Sequence, residues 1–261
     1  MVKKTFVVGL IIFLACSYGF AENNDITEGN QVTAIDIIGQ VSQIMALDNI
    51  VSEQVMTVCR KNATIRQYKL KIMTSGKDKA FAEVIEPKQF AGRQFLRLGD
   101  AVWAYFPDRI SNESKADRRV KMTIRVSGRE TFMGGDFTDY DILRFNLLED
   151  YIPEIVEDLP DQYVLELKGK DLKLTYATLR LWVRKGDFQP IRMECYTLSD
   201  ELIKSVFYQD YRNFGEGLFR PGMLEVKSAV LPTSKTFLEI IYLKRGVKNP
   251  AYRFQRLSLG R

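Results

Sequence analysis

The chain has 261 residues, 46% hydrophobic and 27% charged, with a formal charge of +5. That mild, sign-mixed basic excess holds no Lys/Arg block dense enough to argue for nucleic acid. The absence of histidine removes the commonest general base, the commonest metal ligand and every Ser-His or Cys-His nucleophile pair.

At the N-terminus Lys3 and Lys4 precede an apolar run from Phe6 to Tyr18, and Gly19-Phe20-Ala21 puts small residues at the −3 and −1 positions of a signal peptidase site. This pattern predicts export, with a signal peptide over residues 1–21 and cleavage before Glu22. The run is too short for a comfortable membrane span of about 20 residues. Phe13-Leu14-Ala15-Cys16 offers a competing lipobox reading, with lipid on Cys16. Loss of Lys3 and Lys4 with the leader lowers the formal charge from +5 to +3. Residues 22–261 show no Pro/Ser/Gly linker, repeat or low-complexity tract, so they are expected to form a single domain. Cys59 and Cys195 sit in apolar-alternating patterns, compatible with one disulfide or with two buried thiols.

In chain order, residues 33–46 place Ile35, Ile38, Val41, Ile44 and Met45 at helical spacing behind a capping Thr33. From Glu53 the period becomes two. Strands are expected over 65–73, 80–85, 94–98, 101–106 and 119–126, with a turn at Leu98-Gly99-Asp100-Ala101. The stretch 127–142 (SGRETFMGGDFTDYDI) interrupts this series with Gly128, Gly134 and Gly135. Its Phe132, Met133, Phe137 and Tyr140 are too apolar for an ordinary solvated loop, which suggests a lid. A short helix is expected over 139–151. Strands resume over 162–168, 172–184, 190–197, 202–212, 222–230 and 236–244. Short turns between successive strands predict an antiparallel meander with one wet face and one buried face. The fold class is therefore mainly β (α+β). A large curled antiparallel sheet forms an incomplete β-barrel, with an N-terminal helix and a helical lid over an apolar cavity.

Two phrases resemble the LolA/LolB-like outer-membrane lipoprotein-sorting proteins. One is Phe95-Leu96-Arg97-Leu98-Gly99-Asp100-Ala101-Val102-Trp103-Ala104-Tyr105-Phe106-Pro107, against F-L-R-x-G-D-x-x-W-x-Y-x-P. The other is Phe132-Met133-Gly134-Gly135-Asp136-Phe137-Thr138-Asp139-Tyr140-Asp141-Ile142, against F-M-G-S-D-F-x-x-x-D-L. Leu181-Trp182-Val183 followed by Pro190-Ile191-Arg192 resembles the family's L-W-V…P-L-K hairpin. The departures are Gly135 for Ser and Ile142 for Leu. The resemblance implies a periplasmic, non-enzymatic, monomeric carrier of lipoprotein acyl chains, served by an inner-membrane donor transporter and an outer-membrane acceptor. It implies no cofactor. A lipid-binding sensor that regulates an envelope partner is the alternative.

Candidate cavity or lid residues are Phe95, Trp103, Tyr105, Phe132, Met133, Gly134, Gly135, Phe137 and Trp182; Phe95, Trp103, Tyr105 and Trp182 fit ordinary core equally. Arg93 is a candidate for closing the lid or a solvated strand arginine. Asp136, Asp139 and Asp141 lack the D-x-D-x-D-G spacing of a calcium loop and read as solvated turn and cap carboxylates. Glu157, Asp158 and Asp161 read as an acidic loop around Pro160. No G-x-S-x-G, S-x-x-K, Walker or dinucleotide phrase occurs, so neither a catalytic residue nor a metal site is expected.

Overall fold

A computed structural model describes residues 32–107, 123–144 and 146–261. The expected signal peptide, the Cys16 lipobox, the cleavage before Glu22, residues 119–122 and Phe145 lie outside the described residues.

The described strands form one antiparallel sheet. They are β1 (Val51–Arg60), β2 (Ala63–Ser75), β3 (Lys79–Glu86), β4 (Gln94–Leu98), β5 (Ala101–Tyr105), β6 (Thr123–Val126), β7 (Tyr151–Asp158), β8 (Gln162–Gly169), β9 (Thr178–Arg184), β10 (Pro190–Tyr196), β11 (Leu202–Asn213), β12 (Phe219–Ser228) and β13 (Ser234–Lys244). Their spatial order is β6-β5-β4-β3-β2-β1-β13-β12-β11-β10-β9-β8-β7. Each strand pairs with its sequence neighbour, except that β6 and β7 are the two edges and β1 meets β13 in the middle. The sheet is an open half-barrel, and the chain between its edges, residues 127–150, must cross from one rim to the other.

Alternation decides which side chains that crossing meets. In β9, Leu179, Leu181 and Val183 are buried in the principal core, while Thr178, Arg180, Trp182 and Arg184 face outward. Met56, Val58, Leu70, Val84, Phe95, Val206 and Leu238 line the same concave side. The N-terminal helix α1 (Ala34–Met45) lays Ile37, Ile38, Val41 and Met45 into that side. It opens with a capping box in which the Asp36 amide donates to Thr33 Oγ1 at 3.2 Å. At its other end Arg245 Nη2 donates to the carbonyl of Gln43 at 2.7 Å, which satisfies a terminal acceptor.

Several expectations need correction. The helix expected over 139–151 is two short pieces, α2 (Asp139–Leu143) and α3 (Leu147–Asp150). Tyr151 opens β7, an edge strand that tolerates Pro153 and takes in part of the supposed acidic loop. The strand expected from 172 starts at Thr178, and that expected from 222 starts at Phe219. At the C-terminus two 3₁₀ turns, Ala251–Phe254 and Arg256–Ser258, cover the convex face. There Phe254 and Leu259 pack with Met73, Phe81 and Leu96.

Cys59 and Cys195 are buried free thiols, which excludes the disulfide reading. Burial pushes the Cys195 thiol up to about 12. Alkylation under non-reducing denaturation, followed by peptide mass spectrometry, should label both cysteines; a Cys59–Cys195 linked peptide would contradict the fold. Ile38→Ala should destabilise the protein by about 2–5 kcal/mol in urea denaturation, because a fully buried helix contact leaves a cavity.

Candidate lipid cavity and its lid

Residues 127–144 and 146–150 form a roof built from short turns. Thr131 and Thr138 bridge antiparallel, and the Phe132 amide donates to the Phe137 carbonyl at 2.7 Å. Gly134 takes a positive φ of 73° inside this tight loop, after Met133 at 51°, a region that favours glycine. Gly128 is needed for space, since a Cβ there would come within 2.0 Å of the Tyr140 ring.

The roof is pinned to the sheet by polar groups. Asp136 accepts from Arg60 Nη1 at 3.3 Å, from Thr236 Oγ1 at 2.7 Å and from Ser234 Oγ. Arg60 Nη2 also donates to the Gly134 carbonyl at 3.1 Å, and Tyr68 Oη to the Met133 carbonyl at 3.3 Å. Asp141 is the second anchor. It closes the capping box of α2 by accepting from the Thr138 amide at 2.6 Å, accepts from Tyr176 Oη at 3.1 Å, and pairs with buried Lys204. Lys204 Nζ donates as well to the Asp136 carbonyl at 3.2 Å, so one ammonium holds both anchors. A third attachment comes from Arg97, whose Nε donates to the Leu143 carbonyl at 3.1 Å.

These carboxylates are thus structural anchors rather than solvated turn residues. Asp139 is buried too, and desolvation, with Glu130 and Asp141 adding like charge, pushes its carboxyl up to about 7. Among the described residues no group of three or more His, Cys, Asp or Glu is placed to hold a metal ion.

Beneath the roof lies a part-open cavity of about 90 Å³ between Met45 of α1, Phe137 and Ile142 of the roof, and Val206, Leu224 and Leu238 of the sheet. That is smaller than an ordinary ligand pocket of roughly 300–1,000 Å³, so a long ligand would need the roof to lift. A second compartment of about 70 Å³, lined by Tyr140, Leu147, Tyr151 and Leu179, adjoins it across Asp141, Arg144 and Met193.

The expected site residues divide between two faces. Phe137 lines the cavity. Phe132 is fully buried and packs tilted against Phe95 with ring centroids 4.6 Å apart, so these two are packed core under the roof. Met133, Gly134 and Gly135 form the pinned turn. Trp103, Tyr105 and Trp182 project from the opposite face. Trp103 stacks under Arg256 at 4.1 Å and Tyr105 joins the convex cluster. Trp182 packs against Arg192 at 4.8 Å. The cause is strand parity: in β5 Val102 and Ala104 take the concave positions, which leaves both aromatics of that strand outside. Arg93 lies over Phe90 at 4.5 Å and Phe106 at 5.5 Å; the described anchors of the roof are Arg60, Arg97 and Lys204.

Those anchors were missed, although each leaves a trace. Lys204 alternates in phase with Val206 and Tyr208, and Arg97 in phase with Phe95. A charge in the apolar phase of a strand must be buried and paired, which marks it as a contact point for whatever covers the sheet.

Asp141→Asn should cost about 3–5 kcal/mol in urea denaturation by leaving Lys204 buried without its carboxylate, and should speed amide exchange over residues 132–143. A loss under about 1 kcal/mol would show that the anchor is dispensable. The raised Asp139 pKa means that the folded state binds the extra proton between about pH 4 and 7, so this group's contribution lowers stability as pH rises through that window. Asp139→Asn should flatten that part of the stability–pH curve, and an unchanged slope would refute the assignment.

No curated protein matches the chain. A family model described as "Uncharacterized protein" matches residues 76–261. Among solved structures, a LolA superfamily protein from Nitrosomonas europaea is 25% identical, with a TM-score of 0.73 over 86% of this chain and 98% of that one. An outer membrane lipoprotein-sorting protein domain from Vibrio parahaemolyticus is 20% identical, with a TM-score of 0.72 over 87% and 98%. A DUF1329 family protein from Desulfovibrio piger is 21% identical, with a TM-score of 0.71 over 87% and 97%. These two share the fold. With the family model covering residues 76–261 and the open sheet matched over nearly the whole of a LolA superfamily protein, the chain belongs to a LolA-like family.

Proposed function

We propose that this protein is a periplasmic carrier that shelters lipid acyl chains, those of lipoproteins among them, in the cavity between its half-barrel and its roof. The observation that carries the reading is an apolar cavity closed by a segment that is itself held by polar contacts. The LolA superfamily and lipoprotein-sorting names of its structural neighbours support it, as does the export signal read in residues 1–21.

The energetics suit carriage. Each methylene moved from water into such a cavity gains about 0.8 kcal/mol, so one long chain represents on the order of 10 kcal/mol. A carrier must also let go. A roof held only by apolar contacts would gain further from every chain it covered. One held by Asp136, Asp141 and Arg97 has a fixed closed geometry and a small set of bonds to break. Opening then requires exchange of ion pairs for water, and the acyl chain need not be extracted through a packed core. No chemical step is assigned to the site; the reading is of binding and release.

Native mass spectrometry of protein purified without detergent should show a bound acyl lipid, and a fluorescent acyl probe should bind saturably. Gly134→Val with Gly135→Val imposes a strained φ at 134 and brings a side chain against Thr236, which lies 3.3 Å from a Cβ at 135. It should change probe uptake and release by about tenfold or more. Wild-type rates in that variant would remove the roof from the mechanism; lack of any saturable binding would remove the carrier reading itself.

A further inference from the structure

The cavity wall contains one cation that the roof does not use. Arg220 of β12 stands in phase with Leu224 and Val226, which turns it toward the concave face. It is 3% exposed, yet among the described residues its Nε and Nη1 have no hydrogen-bond partner. Its Nη2 reaches only Met45 Sδ, at 3.7 Å. The other charged groups lining this cavity are occupied. Asp141 is held by Lys204 and Tyr176, and Arg144 is paired with Asp100 at 3.2 Å and with Asp150.

A lone guanidinium in an apolar wall is costly. Burial, with the charge of Arg245 nearby, lowers its pKa to about 10, which still leaves it protonated at neutral pH. Among the described residues, neither α1 nor the roof takes an ion pair from it. A guanidinium with two free donors in a desolvated pocket is the arrangement that recognises a carboxylate or phosphate.

We propose that Arg220 receives the anionic headgroup of a single-chain amphiphile whose hydrocarbon chain lies along Phe137, Val206, Leu224 and Leu238. The proposal rests on the carrier reading and narrows it, because it selects acidic acyl ligands over neutral ones. The shared chemistry is an oxyanion on an alkyl chain, and a fatty acid or a phosphate monoester supplies it equally.

The test is displacement of a fluorescent acyl probe by dodecanoate, dodecyl phosphate and methyl dodecanoate, with wild type and Arg220→Met. Wild type should bind at least one of the two anions about tenfold or more tighter than the ester, and the anion preferred identifies the headgroup. Arg220→Met should bind all three alike, near the wild-type affinity for the ester. Arg220→Gln replaces it if the first variant does not fold. Equal wild-type affinities for the three ligands would overturn the role of Arg220 and leave the carrier reading intact, as would an anion preference that survives the substitution. Failure of all three to bind would overturn both.

Discussion

An open antiparallel sheet whose edge strands are consecutive in the chain leaves its connecting segment little choice. Strand β6 ends at Val126 on one rim and β7 begins at Tyr151 on the other. The intervening residues must cross the half-barrel, and the apolar concave face is where crossing buries the most surface. The lid is therefore a consequence of topology before it is a functional device. The N-terminal helix covers part of the same face, and a cavity is left where helix, roof and sheet do not meet.

Crossing alone does not place the roof. Hydrophobic contact is non-directional, whereas a buried charge accepts few geometries. Lys204 reaches both the Asp136 carbonyl and the Asp141 carboxylate, while Arg60 holds the roof at Asp136 and Arg97 holds it at Leu143. Such pairs contribute little net stability compared with apolar replacements, but they are expensive to break singly. They suit a closed state that is well defined and still reversible. Packing of Phe132 on Phe95 supplies the apolar half of the same attachment.

The fold was largely legible because period-two alternation and turn residues survive in nearly every strand, and because Thr33 and the stripe behind it announce α1. The family phrases located the roof. Face assignment was the weak point. Trp103, Tyr105 and Trp182 attract attention as large aromatics, yet their apolar neighbours Val102, Ala104, Leu181 and Val183 occupy the concave phase. Parity across β5 and β9 puts these aromatics outside. What covers the outer face of β5, the turns around Phe254 and Leu259, is a tertiary contact that alternation does not reveal. The anchors illustrate the opposite case. Arg97 and Lys204 break the apolar phase of their strands, which marks a charge that must be buried, but alternation does not reveal the partner that covers it. Strand β7 was hidden by Pro153 and its acids, which an edge strand accommodates.

On the proposed reading, acyl chains enter between the roof and the concave face. An alkyl ligand carrying a photoactivatable group in its chain, irradiated with the protein and mapped by peptide mass spectrometry, tests this directly. The predicted adducts fall on Phe137, Ile142, Val206, Leu224 and Leu238. Adducts concentrated instead on Trp103, Tyr105 or Trp182 would place the ligand on the convex face and contradict the account.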